Sequence, residues 1–340
     1  MRAALLFGRE DMRVVDILRP APGPDEALVR VVAYAPYGTD IGHYTNRGGR
    51  YARAYPYGVG ADFSGIVEAV GSEVTHVRPG DRVTALALNH CGKCAWCVKG
   101  VTNLCLDAEA ISRARQACCQ QFTIVAANKL ALMPDAVSFE QGAMLAGVVV
   151  ALNGFELMEV DPARPLVVIG VGAMGLAVIA TAAAMGIGTI ALGGTGGRVD
   201  YARALGARVL PLESYGTMVT SEALAISPNG FDQIIETTCS DWGLKQAVEV
   251  AGRLATIGVT GGGALPDCVW DIVLRQLRLV GISCGHHQQQ ALDLMASGKL
   301  KLDTTISRRF TLDQAPEAFA LLAGREAADI GRVIIEIGAA

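Results

Sequence analysis

LVVIGVGAMGLAVIATAAAMGIGTIAL, residues 166–192, is the stretch on which the fold turns. Taken whole, it is long and apolar enough to score as a membrane-spanning helix. It divides more naturally into an apolar run (166–169), the turn Gly170-Val171-Gly172-Ala173-Met174-Gly175, small residues from Ala173 to Met185, and the run TIAL (189–192). That order reads strand, turn, helix, strand, and the membrane reading is rejected. The turn is a G-x-G-x-x-G. Its first glycine permits the tight bend, its second lets backbone approach a pyrophosphate, and its third allows close helix–strand contact. The phosphates meet the positive end of the helix. Alone the motif is weak. With a strand before it and a helix after it, Gly170, Gly172, Ala173, Met174 and Gly175 are expected to hold a dinucleotide.

Downstream the same alternation continues: TIALGG, a helix around YARALGA, RVLPL, a helix, FDQIIETT, another helix, ATIGVT and LRLVGISCG. This predicts an α/β doubly wound parallel sheet with helices on both faces. An NAD-preferring site carries Asp or Glu after the second strand; here Gly193, Gly194 and Thr195 follow it. No carboxylate stands there to repel a 2′-phosphate, and Arg198 with the Thr195 hydroxyl can receive one. Alternatively Arg198 is a solvated loop charge. The expected cofactor is NADP(H).

Upstream, the first ~150 residues read as β-rich. ALVRVVAY (27–34), SGIVEAVG (64–71) and DRVTALAL (81–88, after the Pro79-Gly80 turn) are short runs suited to a barrel-like module. FEQGAMLAGVVVALNGF (139–155) has helical spacing without breakers. The tail predicts two helices, in ALDLMASGKL and FTLDQAPEAFALLAGR, and a closing strand in GRVIIEI.

The β-rich half is interrupted by CGKCAWCVKGVTNLC (91–105), a C-x2-C-x2-C-x7-C cluster. Cys91, Cys94, Cys97 and Cys105 closing on one ion make a complete tetrahedral zinc site with no open position for substrate. The alternative is a redox or reactive thiol cluster. The other five cysteines (Cys118, Cys119, Cys239, Cys268, Cys284) are scattered, which fits a reducing compartment better than a disulfide framework. The five histidines, at 43, 76, 90, 286 and 287, form no HExxH-type motif.

With 340 residues, 51% apolar and 18% charged, two domains are expected. A net charge of −4 without like-charge blocks gives no nucleic-acid footprint. The N-terminal apolar run is too short for a signal peptide, so a cytoplasmic location with no membrane partner is expected.

At this point the chain resembles the zinc-containing branch of the medium-chain dehydrogenase/reductases, the alcohol dehydrogenase superfamily. The likeness runs through YGTD, GADFSGIVEAVG and PGDRV, the four-cysteine lobe, the glycine turn, and FTLDQAPEAFALL…GRVII. The resemblance implies a GroES-like catalytic domain (1–150 and 286–340) carrying the lobe at 91–105. A Rossmann dinucleotide-binding domain (151–285) would be inserted into it. It also implies a small-molecule substrate and a homodimer or homotetramer, with LRLVGISCG as the pairing edge strand. The four cysteines match the family's structural zinc, one ion per chain.

The catalytic zinc of the family needs the cysteine of C-G-T-D, and this chain has Tyr37-Gly38-Thr39-Asp40. It needs the histidine of G-H-E-F, and this chain has Gly60-Ala61-Asp62-Phe63. MLAGVVVAL (144–152) offers no third ligand. A Lewis-acidic ion stabilises a developing alkoxide by several kcal/mol, whereas one aimed hydrogen-bond donor supplies about 3–4 kcal/mol. The deficit favours an acceptor that is already electron-poor, an activated C=C or an iminium-like C=N bond.

The residues expected to serve that reaction follow from the resemblance. Tyr37 replaces a ligand and either donates to substrate or fills the vacated volume. Thr39 matches the proton-relay hydroxyl. His43 is one residue off the family's relay histidine and is otherwise a surface or loop histidine. Asp62 is either a buried acid of raised pKa or a carboxylate paired with an arginine. The loop 46–58, with Arg47, Arg50, Arg53, Tyr51, Tyr55 and Tyr57, lies near the substrate cleft in the family and suits an aromatic or anionic ligand, or is an ordinary exposed loop.

Three readings stand. The first is a zinc-free NADPH reductase of activated bonds. The second is an alcohol dehydrogenase or carbonyl reductase using Tyr37 and Thr39, weakened because no lysine stands near Tyr37 in sequence. The third is a non-catalytic nucleotide-binding protein.

Overall fold

The computed structural model describes residues 1–46, 53–85, 88–107, 109–110, 117–212, 219–262 and 269–338. Arg47, Arg50, Tyr51 and Cys268 lie outside them. The chain forms two compact units: Met1–Ala146 with Gln288–Ser297 and Ile306–Ala340, and Gly147–His287 with Gly298–Thr305.

In the second unit the stretch 166–192 becomes a strand (Leu166–Ile169), a helix (Ala173–Ala184) and a strand (Thr189–Leu192). No helix among the described residues is long and apolar enough to cross a membrane. The sheet runs Arg208–Leu210, Thr189–Leu192, Leu166–Ile169, Phe231–Glu236, Ala251–Val259, Arg278–Gly281, and every pairing is parallel. Leu166 to Ile169 are wholly buried, which is why the central strand is a continuous apolar run rather than an alternating one. The strand order reverses between Leu166–Ile169 and Phe231–Glu236. The loops leaving those two strands therefore diverge at the topological switch point, where such sheets bind ligands.

In the first unit Glu26–Tyr34 is the centre of a seven-stranded sheet, paired antiparallel with Phe63–Val70, Phe122–Ala126 and Arg332–Glu336. Arg332–Glu336 pairs parallel with Ile306–Thr311. The run 81–88 is split: Arg82–Ala85 joins this sheet, and Leu88–Asn89 pairs with Glu109–Ala110. Val29, Val31, Tyr34, Phe63, Val83, Val125, Phe319 and Ile335 pack into one core.

The helical pattern 139–155 is not one helix. It forms Phe139–Ala143 and Leu145–Leu157, broken at Met144, whose φ −98° and ψ 6° leave the helical well. Ser138 caps the first piece, accepting from the Gln141 amide at 3.1 Å while Gln141 accepts from the Ser138 amide at 2.9 Å. The Met144 amide donates to Gln141 and Gly142 carbonyls, a tightened last turn that ends the piece after five residues.

Candidate functional site

The glycine turn has the geometry its spacing requires. Gly170 sits at φ +91°, and a Cβ there would lie 2.6 Å from Thr238 Cγ2. A Cβ on Gly175 would collide with the Gly170 carbonyl oxygen. Gly172 caps the helix Ala173–Ala184 without a side chain, and the space a Cβ would take is open except for Arg198 Nη1 at 3.9 Å. A bare helix N-terminus beside a guanidinium fits a pyrophosphate-bearing dinucleotide.

Gly193 and Gly194 follow at φ +104° and +87°, and a Cβ on Gly194 would collide with Val171 Cγ2. The second glycine of this pair thus lets the loop close on the first turn. Thr195 and Arg198 are half-buried, Arg198 in the first turn of the helix Gly197–Ala204. Arg198 Nη1 thus stands close to the glycine turn, with its side chain half-buried.

Glu236 is a buried carboxyl at the switch point of the sheet that no sequence motif marks. It ends the strand Phe231–Glu236 at 1% exposure and accepts from the Thr238 amide at 2.6 Å, the Thr238 hydroxyl and the Cys239 amide at 3.2 Å. Burial raises its pKa against those donors. It moulds the 237–240 loop, which Thr237 ties to the first strand by donating its hydroxyl to Ile169 O at 2.8 Å.

The four cysteines converge. Their Sγ atoms all lie within 4.8 Å of one another, with Cys94–Cys97 at 3.5 Å and Cys91–Cys97 at 4.0 Å. Zinc–sulfur bonds of about 2.3 Å place tetrahedral sulfurs roughly 3.8 Å apart, so the set fits zinc. Backbone amides already face the sulfurs: Cys94 N donates to Cys91 Sγ and Cys91 N to Cys105 Sγ, both at 3.3 Å. The Cys97 and Leu106 amides lower the Cys94 thiol to about 6. Lys129, 5% exposed with no hydrogen bond to Nζ, is lowered to about 8 by burial while the thiols of Cys97, Cys105 and Cys91 oppose the shift. A buried cation thus sits where thiolates would gather charge.

Tyr37 and Asp62 meet in a different cluster, together with Asp40 and Arg332, two residues that no sequence motif assigns to a site. Asp40, 5% exposed, accepts from the Tyr37 amide at 2.8 Å, and a second bond from the Gly60 backbone ties the two motif turns together. Arg332, 1% exposed, lies with Cζ 3.9 Å from the Tyr37 ring centroid, and none of its side-chain nitrogens makes a hydrogen bond. Burial raises Asp40 to about 6; burial, then Asp40, raises Asp62 to about 7, and Arg332 opposes both shifts. Asp62 Oδ1 is shielded and unpaired. Asp62 as a whole is half-buried, and Arg332 acts on it electrostatically without a hydrogen bond.

The half-buried Tyr37 hydroxyl donates to Met144 O over a long 3.4 Å, and Thr39 is exposed. His43 is neither on the surface nor in a loop. It is 5% exposed on the helix Gly38–Tyr44, with Nε2 3.4 Å from Arg53 and its ring edge-on to Tyr57. Helical periodicity carries it inward because the helix packs that face against the core.

This cluster makes stability depend on pH in a definite direction. Unfolded, both aspartates titrate near 3.9; folded, they hold protons to about 6 and about 7. Between those values the native state binds more protons than the unfolded one, so stability falls as pH rises from 4 to 7 and levels off above. Asp62→Asn is expected to gain on the wild type by on the order of 1–4 kcal/mol across that window. Urea midpoints of both proteins from pH 4.5 to 8 check this; a constant difference would refute it.

Among the described residues, three or more candidate metal ligands converge at the four cysteines and at Glu156, His286 and His287.

Two family profiles match this chain: "Alcohol dehydrogenase GroES-like domain" over residues 23–135 and "Zinc-binding dehydrogenase" over 173–297. It is 26% identical to a sorbitol dehydrogenase of Bacillus subtilis (strain 168), over 94% of this chain and 92% of the relative. The crystal structure of galactitol-1-phosphate dehydrogenase from Escherichia coli superposes with a TM-score of 0.88 at 25% identity, covering 99% and 100% of the chains. That of a putative zinc-binding dehydrogenase from Sinorhizobium meliloti 1021 bound to NADP gives 0.87 at 27%, covering 98% of each. The chain belongs to the medium-chain dehydrogenase/reductase superfamily, in its alcohol dehydrogenase-like branch, and is an oxidoreductase of that type.

Proposed function

We propose that this protein is an NADPH-dependent reductase whose active centre uses no zinc, and that it reduces an activated C=C or iminium-like C=N bond of a small organic substrate. The observation that carries this reading is the Tyr37–Asp62 cluster. Where the family places ligands, the side chains are a phenol at Tyr37 and a methyl group at Ala61, the segment 144–152 offers no ligand, and the buried cation of Arg332 lies beside Tyr37. A phenol stacked on a guanidinium and two carboxyls, one of them already bonded to backbone amides, do not make a three-ligand zinc site. The NADP-bound relative, the glycines at 193 and 194, and Arg198 beside Gly172 support the cofactor preference.

NADP(H), when bound, supplies the hydride. The chain's own residues do the rest. Arg332 holds the Tyr37 ring by cation–π attraction. The Tyr37 hydroxyl, released from its long contact with Met144 O, donates to an oxygen or nitrogen gaining charge, and Thr39 offers a second, exposed hydroxyl. Asp62, protonated up to about pH 7, is the proton reservoir for the carbon or heteroatom that hydride leaves anionic. The four cysteines take a zinc that holds the 91–105 lobe and does not touch substrate.

A second reading, carbonyl reduction or alcohol oxidation, draws on one observation. Arg332 is the cation near Tyr37 that no sequence neighbour provides, and relatives named sorbitol and galactitol-1-phosphate dehydrogenases act on alcohols. Deuterium transfer from [4-2H]NADPH to an enone, a cyclic imine and a ketone separates the readings. Label on carbon of the enone β-position or the imine carbon, with ketone reduction much slower, is the expected result. Label only in the carbinol from the ketone would install the second reading, and no transfer to any acceptor would leave a nucleotide-binding protein. We further infer a homodimer or homotetramer paired through the edge strand Arg278–Gly281, flanked by the exposed Trp270, Val273 and Leu274.

A further inference from the structure

The helix Leu145–Leu157 and the loop after the strand Arg278–Gly281 approach unusually closely within the second unit. Asn153, 5% exposed, donates to Ser283 O at 2.9 Å. A Cβ on Gly285 would lie 2.5 Å from Asn153 Oδ1, and one on Gly154 would lie 2.9 Å from Ile282 Cδ1. Two glycines therefore let the loop lie down on the helix. Glu156, one turn beyond Asn153 on the same face, is brought under His286 and His287.

The three side chains are arranged around a point rather than paired in the ordinary way. One ligand atom from each lies within 4.8 Å of the others. His287 Nε2 is 2.8 Å from Glu156 Oε2, yet it is closed to solvent and makes no hydrogen bond of normal geometry. The two imidazole rings stack at 4.6 Å and 24°, which sets their edges side by side. Ligands on one zinc, at about 2.0–2.2 Å from it, sit roughly 3.3 Å from each other and aim at the ion rather than at one another. The 2.8 Å approach would open by about half an ångström to admit the ion, and its misdirected geometry is what a pair aimed past one another towards a shared point gives. The His287 side chain is 12% exposed while Glu156 is 59% exposed, so one ligand is fixed and another is free to swing in.

We propose that Glu156, His286 and His287 bind a divalent cation of borderline softness, Zn2+ or a neighbour in the transition series, independently of the cysteine lobe. Two imidazoles and a carboxylate suit zinc, and cobalt in its place, better than calcium or magnesium, which call for oxygen ligands. Three protein ligands leave one coordination position for water.

The test uses the full-length protein with its cysteine site filled. Zn2+ and then Co2+ are titrated into wild type, His286→Ala and Glu156→Gln by calorimetry, with Co2+ also followed by absorbance. One additional ion is expected in the wild type, its cobalt spectrum free of thiolate charge transfer, and lost or weakened at least tenfold in both variants. Mg2+ is expected not to compete. NADPH binding and thermal midpoint serve as folding controls, and the exposed His286 and Glu156 are expected to leave both unchanged. No additional ion in the wild type, which is what a mere ion pair gives, overturns the proposal. So does an additional ion that both variants retain.

Discussion

Cys91→Ser is expected to strip the 91–105 lobe of zinc and of its order. Among the described residues the lobe has little else to hold it. Its helix Ala95–Val98 and the turn Thr102–Leu104 bury no residue, and Val98 and Leu106 are 76% and 74% exposed. Without apolar burial the fold of this segment rests on metal bonds, which supply on the order of 10–16 kcal/mol in small zinc modules at neutral pH. Serine is a far poorer ligand, so the variant loses the ion rather than weakening it. Limited proteolysis should cut the variant within 91–107 at low protease while the two sheets keep their far-ultraviolet signature. A variant that keeps its zinc and resists cleavage would show that other contacts carry the lobe.

Arg198→Ala is expected to raise KM for NADPH roughly 10- to 100-fold and KM for NADH by less, because only NADPH carries a 2′-phosphate, and one charge-assisted hydrogen bond to it is worth about 1.5–3 kcal/mol. The converse engineering fails for a steric reason. Gly194→Asp, an obvious attempt to install a ribose-binding carboxylate, puts a Cβ into Val171 at φ +87°. That variant should lose affinity for both cofactors and stability of about 1–3 kcal/mol without gaining NAD preference. KM ratios for the two cofactors measure both effects. An Arg198→Ala enzyme with an unchanged NADPH-to-NADH ratio would remove the guanidinium from the cofactor's account.

The parts of this molecule that are legible in its sequence are those in which neighbours along the chain are neighbours in space. The glycine turn, its strand and its helix lie within 27 consecutive residues, and the cysteines within 15, so spacing alone carries their geometry. The break at Met144 is hidden because an apolar run with helical spacing looks the same whether or not one residue leaves the helical well. Arg332 is hidden because it reads as a polar start to a closing strand; only sheet pairing brings it under Tyr37, nearly 300 residues away. Asp40 stands in view in the Tyr-Gly-Thr-Asp motif, where its bond to the Tyr37 amide is local, yet the bond from the Gly60 backbone is tertiary. Glu156 and His287 are 131 residues apart, and no local periodicity links them. The doubled histidine is the one signal the sequence offers.

The claim that the hydride-accepting centre works without zinc is tested most directly by elemental analysis of the His286→Ala/His287→Ala protein, purified without chelators. That background removes the surface ligands, so any ion beyond the cysteine lobe would have to sit elsewhere. One zinc per chain, falling to none when Cys91→Ser is added, is the result expected. Two zincs per chain in that background would place an ion at Tyr37 and Asp62, and ordinary zinc-dependent alcohol dehydrogenation would replace reduction of an activated bond as the reaction.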